Sequence, residues 1–422
     1  MRKNILLTLG VVIFLVATST SQTLTNAASP QSVGFSADRL KRIDTSMEGW
    51  VNRQWINGAV GLIIRNGKIV YYRGVGYKDL DTKNVLQKDD IFRIASQTKA
   101  ITSTAAMMLY EEGKFLLDDP VSKYLPAFAH EKVLDKFNPA DSSYTTVPAK
   151  RDITIRDLLT HTSGIGYADI GSKEANAIYA KSHLKAGFYV ADDKLLDAMK
   201  RLGALPLMHQ PGEKWTYGLN VDLLGCLVEI WSGMSLEEFF RKRIFEPLGM
   251  KDSYFNLPKE KASRLVNHYD EINGHVTKQT QAFGIDLSYP LITKTYFSGG
   301  AGLSSTAYDY AVFLQMLLNG GEYNGKRLLS RNTVRMMTMN QIGDLSLDEN
   351  KFGLGFMVTT ERGSAAFPSQ EGTYSWGGAF STSYWVDPKE KMIVVFYLQM
   401  WGAHTGEVSS KFRVLAYQAL ND

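Results

Sequence analysis

Strand-forming sequence lies near both ends of this 422-residue chain, and the long region between the two ends has a helical pattern. Near the N-terminus, AVGLIIRNGKIVYYRGVG (59–76) consists of two β-rich runs around Asn66-Gly67. Asn-Gly between such runs is the strongest short signal for a β-hairpin. Near the C-terminus, STSYWVDPKEKMIVVFYLQM (381–400) repeats the pattern around an Asp-Pro turn. The chain is therefore predicted to build one antiparallel sheet from both of its ends.

The middle of the chain carries apolar residues at spacings of three and four, which is typical of amphipathic helices. The predicted helices are 97–112, 155–160, 191–202, 221–232 and 235–244, with Ser235 and Glu238 as a capping box for the last. Three polar stretches are too long for ordinary connections and are expected to build or cover a site: 127–152, 163–190 and 252–296. We expect an α/β (α+β) fold with a sheet region at 29–105 and 296–422 and a helical inserted region at 106–295.

The first 28 residues have the order of a secretory signal peptide. Arg2 and Lys3 precede the apolar run ILLTLGVVIFLVA, and small polar residues follow it. An uncleaved membrane anchor is the alternative, and Ser21, Ala27 and Ala28 are all possible cleavage points. No later stretch reaches the ~18 apolar residues that a membrane crossing needs. We therefore expect an exported protein, periplasmic or extracellular, without stable membrane insertion after signal removal.

Composition excludes several other classes. The formal net charge of +4 is small for this length, and no arginine-rich run or aromatic-basic stripe occurs, so a nucleic-acid partner is not expected. Cys226 is the only cysteine and cannot form an internal disulfide. Its apolar surroundings, LLGCLVEIW, favour a small buried hydrophobe over a nucleophile. The fold must therefore be stabilised by its core alone.

The stretch RIASQTKA (93–100) places Lys99 one helical turn after Ser96, at the start of a long apolar run. That spacing brings the hydroxyl and the amine within hydrogen-bonding reach. A serine hydroxyl is a weak nucleophile until a base accepts its proton, and lysine can be that base when its environment lowers its pKa. A helix start also directs free N–H groups at developing negative charge. The alternative is a solvated first turn, which is the better interpretation of the second match, Ser182 with Lys185.

Other catalytic signatures do not occur in the sequence: it has no G-x-S-x-G elbow, no H-E-x-x-H pair, no phosphate loop and no dinucleotide fingerprint. The seven histidines have no ligand spacing, and no metal or organic cofactor is expected. His161, in LLTHTSGIG, is interpreted as a hydrogen-bonded structural residue. Ser304 or Ser305 in GGAGLSST is interpreted as the cap of a following helix.

Seven blocks occur in order along the chain: FRIASQTK, LLTHTSG, PGEKWTYG, DLLGCLVE, IFEPLGMKDS, GGAGLSST and SWGGAFSTSYWVDP. Together they resemble the serine hydrolases related to class C β-lactamases and penicillin-binding proteins, especially their esterase branch. The resemblance implies a β-lactamase/transpeptidase-like fold, with Ser96 as nucleophile, Lys99 beside it, and Tyr217 as the tyrosine of the Tyr-x-Asn motif. The asparagine of that motif is displaced: position 219 is Leu219, and Asn220 is a candidate substrate-binding residue after a small backbone shift.

The third motif of the family, Lys-Thr-Gly, is replaced here by Trp376-Gly377-Gly378 followed by Ala379. The family lysine meets a substrate carboxylate, so its loss should disfavour an anion at that position and leave room for apolar groups. The resemblance assigns substrate binding to the Trp-Gly-Gly segment and the oxyanion hole to the N–H groups of Ser96 and Ala379.

The predicted function is cleavage of small-molecule carboxylic esters through an acyl-enzyme at Ser96, with Lys99 and Tyr217 handling the proton. Which of the two is the base stays open. A D-amino-acid peptidase or β-lactamase, an acyltransferase on the same fold, and a non-catalytic penicillin-binding-like protein are the alternatives. The sequence leaves the oligomeric state open.

Overall fold

The computed structural model describes residues 23–184, 187–188, 193–282 and 284–422. The strands are β1 Thr25–Asn26, β2 Gly58–Arg65, β3 Lys68–Asp79, β4 Asn84–Val85, β5 Phe92–Arg93, β6 Lys132–Asn138, β7 Ser143–Pro148, β8 His268–Ile272, β9 His275–Gln279, β10 Gln281–Ala282, β11 Ile285–Asp286, β12 Ser304–Ser305, β13 Glu322–Tyr323, β14 Lys326–Arg327, β15 Lys351–Phe352, β16 Met357–Val358, β17 Tyr374–Gly378, β18 Thr382–Asp387, β19 Met392–Tyr397 and β20 Met400–Trp401. The α-helices are α1 Ala37–Asn52, α2 Thr98–Glu111, α3 Ile155–Thr160, α4 Lys173–Lys181, α5 Leu195–Gly203, α6 Asn220–Ser232, α7 Leu236–Phe240, α8 Glu246–Leu248, α9 Ala307–Leu318, α10 Arg331–Met337, α11 Glu361–Ala366 and α12 Thr405–Gln418.

One large sheet is built from both chain ends, as the sequence predicted. Its order is β1-β3-β2-β19-β18-β17-β16-β15, with β4 added to β3. The N-terminal and C-terminal strands meet at the antiparallel pair β2 and β19, where Val60 lies opposite Tyr397. Only β1, which pairs with β3, is parallel within this sheet. The α+β arrangement expected from the sequence is confirmed.

The turn between β2 and β3 shows why the local sequence is decisive there. Asn66 and Gly67 have φ values of 54° and 72°, so both central residues are left-handed. That conformation is the type I′ turn, whose twist matches the twist of the flanking strands, and Asn-Gly adopts it at low cost. The hairpin predicted from the Asn-Gly signal is confirmed.

Both faces of the sheet are covered, so its central strands are apolar throughout. All eight residues of β2 and all six of β19 are buried. Helices α1 and α12 cover one face, where Phe412 of α12 stacks on Phe396 with ring centroids 4.1 Å apart. Helices α2, α6 and α9 lie in the larger core on the opposite face. Strands buried on both sides read as continuous apolar runs, as they do here.

The helical region contains more strand than its sequence suggested. The stretch 127–152, interpreted above as irregular, holds the hairpin of β6 and β7, and 252–296 holds the hairpin of β8 and β9. The interpretation of Ser304 or Ser305 as the cap of the following helix was also wrong. Ser304 and Ser305 form β12, which pairs with β5, and the cap of α9 is Thr306, whose side chain accepts from Asp309 N–H.

Residues 1–22 lie outside the described part of the chain, and with them the whole apolar run of the expected signal peptide. The described residues from 23 onwards belong to the folded body. Leu24 is buried and its N–H donates to the Tyr323 hydroxyl at 3.0 Å, while Thr25 and Asn26 pair with β3. Within the described ranges, no helix is both long and apolar enough to cross a membrane.

Cys226 is fully buried in α6, and burial raises the pKa of its thiol to about 12.

Candidate active site

Ser96 lies in a short 3-10 turn, Ala95–Gln97, that leads directly into α2. Its neighbours Ala95 and Gln97 are fully buried, whereas Ser96 is only partly buried and lines a cleft. Ala95 has a φ of 46°, a strained value for a residue with a side chain. Strain of this kind persists where the surrounding structure enforces it, and it clusters at active sites. The turn therefore presents one hydroxyl at the floor of the cleft.

Lys99 follows in the first turn of α2 and is only 2% exposed. Its Nζ donates to the carbonyl oxygen of Gly300 at 2.7 Å, to the hydroxyl of Tyr167 at 3.3 Å and to Ser96 Oγ at 3.4 Å. These three acceptors match the three donors of an ammonium group. The predicted pairing of Ser96 with Lys99 is present in the folded chain.

Tyr217 lies beside the lysine, but it offers its ring rather than its oxygen. Lys99 Nζ is 4.5 Å from the centroid of the Tyr217 ring, a cation–π distance. The Tyr217 hydroxyl is buried and has no hydrogen-bond partner among the described residues. Tyr217 and Ser96 line the same cleft. A buried hydroxyl without a partner is costly, and a reacting group or a water in the cleft would satisfy it.

The phenol that does contact Lys99 is Tyr167, which the sequence analysis did not place among the catalytic residues. Its ring lies 5.4 Å from the Tyr217 ring, and its side chain is almost fully buried. Burial, and then the adjacent Tyr217 phenol, hold the pKa of Tyr167 well above its usual value. Tyr167 comes from the loop after α3, six residues beyond His161, and no motif marks it.

A buried carboxylate stands behind the lysine. Asp222, in the first turn of α6, accepts from the Ser298 hydroxyl at 2.5 Å and from Gly300 N–H at 3.3 Å. Burial raises the pKa of Asp222, and the nearby Lys99 ammonium opposes that rise. A Cβ on Gly300 would lie 2.2 Å from Asp222 Oδ2, so only glycine fits between the carboxylate and the lysine. The GGAG segment is thus a structural link between α2 and α6.

The expected oxyanion hole combines the turn at Ser96 with the end of β17. A Cβ on Gly378 would lie 2.3 Å from the carbonyl oxygen of Ile94, so the backbones approach as closely as glycine permits. Ala379, the next residue, lines the cleft with Ser96, and its carbonyl accepts from the Trp401 indole N–H. The two backbone segments assigned to the oxyanion hole are therefore adjacent.

Trp376 and Gly377 also line the cleft, which has a volume of about 530 Å³. The Trp376 ring lies 5.6 Å from the Tyr217 ring and 5.5 Å from the Phe352 ring, so it forms part of an aromatic wall. Gly377 adds open space, since a Cβ there would meet only the carbonyl oxygen of Thr382, at 3.3 Å.

Asn220 does not join this group. It is fully buried, its Oδ1 accepts from the Ser163 hydroxyl at 2.5 Å, and its Nδ2 donates to His161 Nδ1 at 3.1 Å. The amide is thus committed to the core, where it connects α6 to the segment after α3. Burial, and then the Lys99 charge, lower the pKa of His161, so its ring is neutral and can accept from the amide.

Comparisons with known proteins agree with this geometry. A family model described as Beta-lactamase matches residues 41–418. Esterase EstB from Burkholderia gladioli is 29% identical in an alignment of 383 positions that covers 86% of this chain and 91% of EstB. A putative D-alanyl-D-alanine carboxypeptidase from Escherichia coli (strain K12) is 30% identical in an alignment of 400 positions that covers 87% of this chain and 84% of that protein. The structure of EstCE1, a hydrolase with promiscuous acyltransferase activity, has a TM-score of 0.76 at 26% identity and covers 90% of this chain and 99% of its own.

Proposed function

Because this chain belongs to the beta-lactamase family, as its seven motifs indicated, we propose that it is a serine hydrolase that cleaves carboxylic esters through an acyl-enzyme at Ser96. One observation carries the proposal. The Nζ of the buried Lys99 lies 3.4 Å from the Oγ of Ser96, at the floor of an open cleft whose wall carries Trp376. The esterase EstB and the hydrolase EstCE1 are similar along most of this chain, which supports ester cleavage as the reaction.

In the proposed mechanism, Ser96 Oγ attacks the ester carbonyl carbon while its proton passes to the group formed by Lys99 and the phenols around it. The N–H groups of Ser96 and Ala379 bind the negative charge that develops on the carbonyl oxygen. The leaving alkoxide takes the proton and departs as the alcohol, which leaves an acyl group on Ser96. Water then attacks the acyl-enzyme, the carboxylic acid leaves, and the serine hydroxyl is restored.

The geometry adds Tyr167 to the residues that handle the proton. Lys99 Nζ contacts the Tyr167 oxygen and the Tyr217 ring, so one cation influences both phenols. The base is therefore a property of the three side chains together and not of one of them. Tyr217, whose hydroxyl has no partner elsewhere in the described chain, is the proposed proton carrier on the cleft side. Asn220 is omitted from the substrate-binding residues, since its amide is engaged in the core.

Two assays in parallel test the reaction. A fluorophosphonate probe should label Ser96, with the adduct located by peptide mass spectrometry, and a short-chain p-nitrophenyl ester should be cleaved much faster than a chromogenic cephalosporin. Rapid cephalosporin turnover without ester cleavage would instead favour the β-lactamase or peptidase alternative, to which the similar carboxypeptidase belongs by name. A folded protein that the probe does not label would favour the non-catalytic alternative.

Acyl transfer to an alcohol is the second candidate. The described promiscuity of EstCE1 favours it, and it needs every residue named for hydrolysis. Product analysis by mass spectrometry, with a vinyl ester and a primary alcohol in water, distinguishes the two. Formation of a new ester in excess of free acid would identify a transferase.

We also propose export to the periplasm or the exterior, on the charged, apolar and small-residue order of residues 1–28. The burial of Leu24 and the pairing of Thr25 with β3 favour cleavage after Ser21 over cleavage at Ala27 or Ala28, which would remove folded residues. N-terminal sequencing of the exported protein tests this site, and a start beyond residue 26 would contradict it.

A further inference from the structure

The cleft that contains Ser96 continues around the end of β17 to the opposite face of the sheet. Side chains alternate along a strand, so Trp376 faces the catalytic side while Ser375 and Gly377 face the side of α12. Strand β16 pairs with β17 at Tyr374 and Ser375, and this pairing stops there in the described chain. The cavity lining includes Ser96 at one end and Arg413 of α12 at the other. The cleft therefore has two parts, a catalytic arm beside Ser96 and a second arm beside Arg413. The two arms connect past the open edge of β17.

Gly377 lies at the junction of the two arms. An added Cβ at this position would meet only one atom, the carbonyl oxygen of Thr382 at 3.3 Å, and otherwise open space. The replacement of a bulkier family residue by glycine thus leaves the passage between the arms unobstructed. From Ala379 to Ser375 the strand spans four residues, or about 13 Å at the rise of a β-strand.

Arg413, at the end of the second arm, is a cation that forms no ion pair with a carboxylate of the described chain. Its guanidinium lies between the Trp385 ring, 4.8 Å from the centroid, and the Phe367 ring, 5.5 Å from the centroid. It makes neither an ion pair nor a hydrogen bond with the described residues, and its Nε is buried. Burial lowers the pKa of Arg413. Arginine is rarely buried without a partner, because desolvation of its charge is costly.

Asp387 is the carboxylate whose charge acts on Arg413, but its oxygens already accept hydrogen bonds from other groups. It accepts from the Tyr417 hydroxyl at 2.8 Å and from the N–H groups of Gln370, Lys389 and Glu390 at 3.1 Å each. Asp387 acts on Arg413 only through its charge.

The second arm offers further unused donors beside the guanidinium. The Ser375 hydroxyl and the Trp385 indole N–H line the cleft, are buried and have no partner in the described chain. These two residues lie opposite each other on β17 and β18. Met357, Phe367 and the Trp385 ring supply apolar surface next to them.

We propose that the second arm binds a carboxylate carried by the substrate at the far end of an apolar chain, with Arg413 as its counter-ion. This inference rests on the proposed function and names its substrate class: esters of dicarboxylic acids, or of similar molecules with a distal carboxylate. The planar guanidinium fork matches a carboxylate and pairs with it in two hydrogen bonds. This anion would lie on the opposite face of β17 from Trp376, which occupies the position of the missing family lysine, so the two modes of carboxylate recognition differ.

The test compares two esters of equal chain length, mono-p-nitrophenyl sebacate and p-nitrophenyl decanoate, by the ratio of their kcat/KM values. We expect the wild type to prefer the carboxylated ester. In Arg413→Met the ratio should fall roughly 10- to 100-fold, the value of a charge-assisted hydrogen-bonded pair. Arg413→Lys keeps the charge but loses the planar fork of the guanidinium. Its ratio should lie between those of the wild type and Arg413→Met. Lys411→Met, which removes an exposed cation two residues away on α12, is the matched control and should leave the ratio unchanged.

A wild-type ratio at or below one for shorter and longer dicarboxylate esters alike would overturn the inference and leave the proposed function intact. An unchanged ratio in a folded Arg413→Met would do the same. Cleavage of neither ester by the wild type, with no labelling of Ser96, would overturn the proposed function and this inference together.

Discussion

Two lysines in this molecule are buried to nearly the same extent, yet they donate to different kinds of hydrogen-bond acceptor. Lys99 is 2% exposed and Lys294 is 4% exposed, and neither forms an ion pair with a carboxylate in the described chain. Among the described residues, Lys294 donates only to carbonyl oxygens, those of Phe255, Tyr289 and the Asn256 side chain. Carbonyl oxygens accept hydrogen bonds but hold no exchangeable proton.

Lys99 has one carbonyl partner and two hydroxyl partners, Ser96 and Tyr167, and Ser96 opens to the cleft. Hydroxyls can give up a proton as well as accept a hydrogen bond. Burial of an amine therefore does not by itself indicate catalysis. The acceptors around the amine, and their access to a substrate, distinguish a structural lysine from a catalytic one.

The largest expected effect comes from removing the nucleophilic hydroxyl beside Lys99. Ser96→Ala should lower kcat/KM for a short-chain p-nitrophenyl ester by a factor on the order of ten thousand or more, because no other group can form the acyl-enzyme. The melting temperature, measured by circular dichroism, should stay close to that of the wild type. Residual activity within tenfold of the wild type would place the nucleophile elsewhere.

Exchanging each lysine for an uncharged side chain of similar length tests the contrast between them directly. Lys99→Met should lose about a hundredfold or more in kcat/KM, the typical contribution of a proton-transfer group. Lys294→Met, its matched control, should stay within about threefold of the wild type per folded molecule. Equal losses in the two variants would show that burial rather than the hydroxyl partners of the amine is what matters.

Removing either phenol hydroxyl near Lys99 should lower kcat/KM, but by different factors. Tyr217→Phe should lower kcat/KM by about a hundredfold, and Tyr167→Phe by about tenfold, since the second removes one hydrogen bond to the lysine. Combined with Lys99→Met, either change should add little, because residues that act as a unit are not additive. Near-normal rates in Tyr217→Phe, with a large loss in Tyr167→Phe, would make Tyr167 the proton carrier.

Local sequence predicted those parts of the molecule that local physics determines. The Asn66-Gly67 turn and the N-cap at Ser235 depend on a few neighbouring residues, and both are confirmed. The strand-forming segments near the two chain ends were also recognised from local sequence, and the one sheet predicted from them is confirmed. The capping box was incomplete, since Ser235 accepts from Glu238 N–H without a reciprocal bond in the described structure. The family resemblance is likewise confirmed by the match over residues 41–418.

The sequence patterns did not predict the side-chain contacts between residues that are far apart in the chain. Tyr167 reaches Lys99 across 68 positions, and its loop carries no periodicity that would mark it. Asn220 was expected near the substrate because of its place after Tyr217, but the start of α6 turns its amide towards Ser163. No sequence pattern marks Arg413, and only the tertiary structure shows that it has neither a hydrogen bond nor an ion pair with the described residues.

The last expected effect is on stability and not on activity, and it concerns Lys294. Burial lowers its pKa from the ordinary 10.5 to about 8. Between these two values the unfolded chain binds a proton that the folded chain has released, so the folded state gains stability as the pH rises through this window. The free energy of unfolding of the wild type should therefore increase relative to that of Lys294→Met by up to about 3 kcal/mol between pH 8 and pH 10.5. Urea titrations of both proteins at several pH values measure this difference, in which the titration of all other groups cancels. Parallel stability curves would mean that the Lys294 ammonium is as well solvated by its carbonyl partners as by water, and the two buried lysines would then differ only in their access to the cleft.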